Sequence, residues 1–232
     1  MKVINTRPSP DAAPFTQAVR AAGAEVILSP VMEIRFKTAA APVEPGEALA
    51  FTSANGVRAF ARVNDDRTLP VFAVGAATEA AARAAGFQRV AAANGDVDSL
   101  ADLIASAKGH RQILHLAGTD RAGDLVAALA AKGVPARRIV LYDAVPMAHL
   151  NAEARAALAA DPENCAVGLF SPRSAALFYA QAVSDGVEDR LSGALLLAFS
   201  DAVAAAALAD RWRAVKIAQE RSVEAMASLL RD

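Results

Sequence analysis

Apolar residues in this chain fall in short blocks, each followed by a stretch where apolar positions recur every three to four residues. The blocks read as strands and the stretches as helices. Val3-Ile4 opens a strand, a helix from Phe15 to Ala22 stops at Gly23, and a second strand runs from Glu25 to Leu28. Shifted by about 110 residues, the same order returns. Ile113-Leu114 opens a strand, the helix Leu125 to Ala131 stops at Lys132-Gly133, and a strand runs from Ile139 to Tyr142. Gly23 and Gly133 take the same position, where a left-handed residue ends a helix and glycine fits best.

Three more pairs of segments match between the halves. Phe51-Thr52-Ser53-Ala54-Asn55-Gly56-Val57 resembles Phe170-Ser171-Pro172-Arg173-Ser174-Ala175-Ala176. Ala73-Val74-Gly75-Ala76-Ala77-Thr78 resembles Ala198-Phe199-Ser200-Asp201-Ala202-Val203. Val90 to Ala93 with Leu100 to Ile104 resembles Val215 to Ala218 with Met226 to Leu230. Each segment is a strand end, a small polar turn and a helix. Strands alternating with helices predict parallel sheets with helices on both faces. The short, continuously apolar strands fit burial on both sides. The expected architecture is α/β, two similar doubly wound parallel-sheet domains. Residues 30–36 and 140–147 are longer, partly alternating segments that read as paired interdomain linkers. If both cross, the first unit of each half joins the last three units of the other. The pattern alone also permits tandem domains split near residue 109.

Composition narrows the function classes. The chain has 232 residues, about a quarter of them alanine, with 24 Lys and Arg against 25 Asp and Glu. A net charge of −1 argues against nucleic-acid binding, which calls for a basic face. Only 5% of residues are aromatic, so stacking platforms are not expected. One cysteine, Cys165, excludes an internal disulfide and a cysteine zinc site, and it reads as a small buried hydrophobe. His110, His115 and His149 show no metal-ligand spacing, so no metal is expected. The first residues form a strand running into Arg7-Pro8, unlike a signal peptide. Residues 193–209, the most apolar stretch, are interrupted by Ser200 and Asp201 and read as a strand and helix, not a membrane span. A cytoplasmic protein is expected. Without long heptads or a large apolar helix face, so is a monomer.

The turns carry the chemistry. There is no P-loop, and Gly75, Thr78 and Gly86 lack the paired early glycines of a dinucleotide fingerprint. The glycine-bearing run Ala117 to Gly123 is too loose to count. Residues 52–55, 75–78, 171–174 and 200–201 each open a helix at the carboxyl end of a strand, where ligands bind in such sheets. Helix N-termini carry unpaired N–H groups and partial positive charge, so several around a cleft would hold an acidic ligand. The same Thr52, Ser53, Asn55 and Ser171 also read as helix caps, worth about 1 kcal/mol each. No nucleophile elbow or Ser-His-Asp set is present. His115, between Leu114 and Leu116, reads as a structural histidine. Tyr142 either packs at its strand end or presents its hydroxyl as a proton donor. Asp143, Arg121 and Arg173 read as solvated.

Taken in order, Thr6-Arg7-Pro8, Phe51 to Val57, Val74-Gly75 with Thr78 and Ala82, Ala117-Gly118, Leu141-Tyr142 and Phe170 to Ser174 resemble the motifs of the uroporphyrinogen-III synthase family. The resemblance spans nearly the whole chain. It implies two α/β domains joined by a two-stranded linker: residues 1–35 with 149–232, and residues 38–144, the linkers lying at about 31–38 and 140–148. It implies a cofactor-independent hydro-lyase of tetrapyrrole (haem) biosynthesis. That enzyme cyclises the linear tetrapyrrole hydroxymethylbilane to uroporphyrinogen III, losing water and inverting the last pyrrole ring. The substrate's eight carboxylates suit a cleft ringed by helix N-termini. Carried over, Tyr142 is the candidate catalytic residue. The candidate binding residues are Thr6, Arg7, Thr52, Ser53, Asn55, Gly75, Thr78, Gly118, Ser171, Ser174 and Ser200. One departure stands out: the second Gly-x-x-Thr reads Ser200-Asp201-Ala202-Val203, so Ser200 must supply any hydroxyl there. Two other classes share these features, a noncatalytic two-domain protein binding a small anion and a nucleotide-dependent α/β enzyme. The latter needs a phosphate loop that is not found.

Overall fold

The computed structural model describes residues 1–9, 11–120 and 123–231. In chain order the elements are β1 (Lys2–Asn5), α1 (Ala12–Ala21), β2 (Glu25–Leu28), β3 (Met32–Phe36), β4 (Glu47–Phe51), α2 (Ala54–Ala61), β5 (Val71–Ala73), α3 (Ala76–Ala84), β6 (Val90–Ala92) and α4 (Val97–Ser106). They continue with β7 (Gln112–Gly118), α5 (Leu125–Ala131), β8 (Ala136–Pro146), α6 (Ala152–Ala160), β9 (Cys165–Leu169), α7 (Pro172–Ser184), β10 (Leu195–Ala198), α8 (Asp201–Ala206), β11 (Ala214–Ile217) and α9 (Val223–Ser228). Gly23 and Gly133 both take positive φ, 84° and 72°, just past α1 and α5, as the helix-stop reading requires.

The strands form two sheets, and the chain divides into two compact units, Met1–Glu33 with Val145–Asp232, and Ile34–Ala144. The first unit's sheet runs β11-β10-β9-β1-β2, with every neighbouring pair parallel. The second sheet runs β3-β8-β7-β4-β5-β6 and is parallel from β8 to β6. The order is the same in both: β10, β9, β1, β2 match β5, β4, β7, β8. Each sheet therefore takes one βαβ unit from one half of the chain and three βα units from the other. β3 lies beside β8 and runs antiparallel to it, since Lys37 N–H donates to Leu141 O at 2.8 Å and Met147 N–H to Val31 O at 3.0 Å. The segment expected as a second linker is the end of β8, one unbroken strand that pairs with β7 from Ala136 to Tyr142.

Alternation along the strands builds a core on both faces of each sheet, the reason these strands read as continuously apolar. In the first unit Ile4, Ile27, Val167 and Leu196 meet Phe178 and Trp212 on one face. Val3, Ala166 and Leu197 meet Phe15, Val19 and Met226 on the other. In the second, Leu49, Phe51, Leu114 and Leu116 pack with Phe60 and Phe87. Ala48, Ala50, Phe72 and Ile113 pack with Leu100, Ile104, Leu125 and Leu129. Cys165 is buried in β9, its thiol donating to Asp161 O at 3.3 Å, and burial pushes its pKa up. It behaves as the inert hydrophobe the sequence suggests.

A buried charge interrupts the apolar plan in the second unit. Glu47, at the start of β4, is held by Arg137 of β8 through Nε at 2.7 Å and Nη2 at 2.8 Å. The same Arg137 reaches Pro42 O at 2.7 Å, and Glu44 N–H donates to Glu47 at 2.8 Å. The pair ties the approach to β4 onto β8. The Arg137 hydrogen bond holds the Glu47 carboxyl below its ordinary pKa, more than burial raises it. Residues 193–209 form β10 and α8, and no described helix is long and apolar enough to cross a membrane.

Candidate functional site

Because β4, β5, β6 and β7 are parallel, their carboxyl ends share one edge of the second sheet. The turns leaving that edge carry six of the seven candidates in this unit. Ser53 is extended and caps α2, its Oγ accepting from Asn55 N–H at 3.1 Å. Asn55 is buried and its Oδ1 accepts from Arg58 at 2.8 Å. Thr52 Oγ1 lies 3.1 Å from His115 Nε2. His115 is buried on β7, with its ring nitrogen against this candidate binding hydroxyl. Gly75 precedes α3. A Cβ there would come within 3.2 Å of Gly95 Cα, so glycine lets the turns after β5 and β6 approach. Thr78 is buried in the first turn of α3. Gly118 ends β7.

Tyr142, the seventh, reaches this edge from β8. The β7–β8 register steps from Ala117 opposite Val140 to Gly118 opposite Tyr142, leaving Leu141 as an extra residue. Such a bulge re-aims the side chain that follows it. The Tyr142 ring lies over Gly118: a Cβ at 118 would stand 2.6 Å from Cε2, 2.7 Å from Cζ and 3.1 Å from the hydroxyl. Only glycine leaves that space. The segment under the ring is held on several sides. Arg138 of β8 donates through Nη2 to Gly118 O, and to Thr119 O at 3.2 Å. Thr119 N–H donates to Tyr142 O at 3.0 Å, and Thr119 Oγ1 donates to Asp143. Lys37 Nζ meets the same carboxylate at 3.1 Å. The Asp143 side chain is exposed, as expected, and is tied to these two partners. The Thr119 hydrogen bond, then Lys37, holds its carboxyl below the ordinary pKa. A small cleft at the carboxyl end of β7, lined by Thr52, His115, Asp124 and Arg138, opens beside these residues. Arg121 lies outside the described residues.

The first unit has the equivalent edge at the ends of β1, β9 and β10. Ser171 and Ser174 form a reciprocal capping box at α7: Ser171 Oγ accepts from Ser174 N–H at 3.1 Å and Ser174 Oγ from Ser171 N–H at 2.9 Å. Thr6 is buried and donates to Gly168 O at 2.6 Å, so its hydroxyl ties β1 to β9. Ser200 precedes α8 in extended conformation without a side-chain cap, leaving its hydroxyl uncommitted to the helix. Arg7 places its guanidinium carbon 4.8 Å from the centre of the Phe170 ring. Phe170 meets Phe15 edge-on at 5.0 Å and Phe199 at 5.6 Å. Composition gave no warning of this cluster. Its sequence signal is position, since Arg7, Phe170 and Phe199 each follow the end of a strand.

Each edge therefore combines helix N-termini with hydroxyl groups, an arrangement that receives anions. The second adds a phenol held over bare backbone. The family model described as Uroporphyrinogen-III synthase HemD matches residues 13–228. Among solved structures, a uroporphyrinogen-III synthetase from Helicobacter pylori is 17% identical with a TM-score of 0.68, over 99% of this chain and 97% of that one. A mutant uroporphyrinogen III synthase from the extremely thermophilic bacterium Thermus thermophilus is 17% identical with a TM-score of 0.60, over 100% of this chain and 97% of that one. At that identity the two structures speak for the fold. No curated protein matches the chain in sequence.

Proposed function

The chain belongs to the uroporphyrinogen-III synthase family, and from that premise we propose how its residues carry out the family's reaction. As a uroporphyrinogen-III synthase in tetrapyrrole biosynthesis, it converts hydroxymethylbilane to uroporphyrinogen III. The finer reading is a cofactor-independent hydro-lyase, acting as a monomer in the cytoplasm. The phenol of Tyr142 gives its proton to the departing hydroxyl, the C–O bond breaks, and water leaves. The resulting azafulvene is attacked by the substituted carbon of the last pyrrole ring to give a spiro intermediate. That intermediate fragments and recloses with the ring inverted. The proton lost from the ring carbon at closure restores the phenol.

Uncatalysed closure proceeds without inversion, so the protein's main task is to hold one geometry, chiefly an effect of orientation. The hydroxyl-bearing turns suit that task. Thr52, Ser53, Asn55, Gly75 and Thr78 open α2 and α3, and Ser171 and Ser174 open α7, so the partial positive charge of these helix ends favours substrate carboxylates, while the N–H groups of Asn55, Ser171 and Ser174 themselves are taken up by the caps. Arg7 and Ser200 add side-chain donors, and Gly118 makes room for the phenol. Thr6 acts through the backbone it fixes. The family match over residues 13–228 carries the reading, and the ring of Tyr142 over Gly118 supports the choice of proton donor.

The test is a coupled assay. Freshly generated hydroxymethylbilane is given to the dialysed, chelator-treated protein, and the oxidised porphyrin isomers are separated by chromatography. A predominant type III isomer is expected. Type I alone, as without enzyme, would overturn the catalytic reading.

A further inference from the structure

Arg7 is anchored at both ends. Its backbone N–H donates to Asn5 Oδ1 at 3.1 Å. Asn5 is fully buried and its amide nitrogen is spent on Ala12 O at 2.9 Å and Thr16 Oγ1 at 3.0 Å. At the other end the guanidinium lies over the Phe170 ring. That ring is itself braced. Fully buried Phe15 meets it nearly perpendicular, at 81°, and Phe199 flanks it at 52°. Gly168 leaves the room this needs, since a Cβ there would stand 2.8 Å from Phe15 Cε1. Three of the nine phenylalanines thus gather beneath one arginine at the carboxyl edge of the first sheet.

We infer that Phe170 is a positioning residue of the substrate site: its braced ring holds the Arg7 guanidinium in one orientation, ready for a carboxylate of the tetrapyrrole. The inference rests on the synthase reading. An arginine in solution samples many rotamers, whereas one resting on an aromatic face loses less freedom when its planar edge takes a carboxylate. The Phe170 ring thereby acts on substrate through Arg7, without touching it.

The contact has the size of an exposed cation–π interaction, so losing it corresponds to about a two- to fivefold change. Phe170→Leu is expected to raise KM by that factor with kcat unchanged, as for an interaction equal in ground and transition states. Phe170→Tyr, which keeps the ring face, restores the wild-type KM. In an Arg7→Gln background, Phe170→Leu adds nothing further. Arg7→Lys, which leaves the aromatic packing intact, raises KM like Phe170→Leu and keeps the test decisive if the leucine variant folds poorly. Independently of activity, the Arg7 side-chain Hε resonance carries a ring-current shift that Phe170→Leu removes and Phe170→Tyr keeps. Unchanged KM in Arg7→Lys, additive effects of the two substitutions, or an Hε resonance indifferent to Phe170 would overturn the inference. A wild-type protein yielding only type I isomer would overturn the synthase reading instead, while the resonance still reports whether Phe170 holds Arg7.

Discussion

Replacing Gly118 by alanine asks whether the placement of the Tyr142 ring matters to the reaction. The added methyl would stand 2.6 Å from Cε2, whereas ordinary contact begins at 3.4 Å, so ring or backbone must give by about 0.8 Å. The backbone is poorly able to give. Residues 118 and 119 are hydrogen-bonded to Arg138, to the Tyr142 carbonyl and to Asp143. The ring therefore moves, carrying its hydroxyl with it. Overpacking of this kind costs about 1–3 kcal/mol of stability, which leaves most domains folded. A displacement near 1 Å in a catalytic group costs up to about 10²-fold in rate. Gly118→Ala is thus expected to lower kcat by about 10- to 100-fold and to shift the product towards type I isomer, while urea unfolding stays cooperative. The assay is isomer-resolved chromatography on protein shown to be folded by its unfolding transition. Wild-type kcat and wild-type isomer ratio in the folded variant would refute the placement argument, and with it the role of Tyr142.

Other substitutions probe separate links. Tyr142→Phe keeps the ring over Gly118 and removes only the proton, so kcat is expected to fall by about 10²-fold with little change in urea stability, checked by steady-state kinetics and unfolding. Glu47→Gln breaks the charged pair with Arg137 and should cost about 1.5–3 kcal/mol, read from the urea midpoint at neutral pH. Because the folded pKa of Glu47 is lowered, its stabilisation is complete above the unfolded carboxyl value and drains away as pH falls through the folded one. The difference in midpoint between wild type and Glu47→Gln should therefore shrink below about pH 4. Ser171→Ala removes half of the capping box on α7 and should cost about 1 kcal/mol, again read from the urea midpoint.

Periodicity alone carried much of the fold. Gly23 and Gly133 marked true helix ends, and the helix expected at Leu125 to Ala131 is α5 as observed. The turns were legible as caps because capping is local: Ser53 and Ser171 bond to N–H groups two and three residues away. What stayed hidden depends on register between strands far apart in the chain. A bulge at Leu141 leaves no trace in composition, yet it decides where Tyr142 points. The ties from the exposed Asp143 side chain to Thr119 and Lys37 join three segments, so they too left no local signal. The same holds for Arg7 and Phe170, remote in sequence and joined only because β1 lies beside β9.

That pairing of β1 with β9 has a consequence for how the polypeptide matures. β1 and β2 leave the ribosome before Ile34–Ala144, but β9, β10 and β11, which complete their sheet, come after the whole of that stretch has been made. The inserted unit has all its strands in one continuous stretch and can form while the chain is still growing. The first strands must wait for their neighbours, with Val3 and Ile4 unsatisfied in the meantime. The antiparallel neighbours Val31 and Met147 bring the two ends of the inserted stretch together, so a folded insert closes the gap like a short hairpin instead of a long loose loop. A growing chain whose Pro146 had just cleared the ribosome would thus display a finished second unit and an orphaned β1-α1-β2.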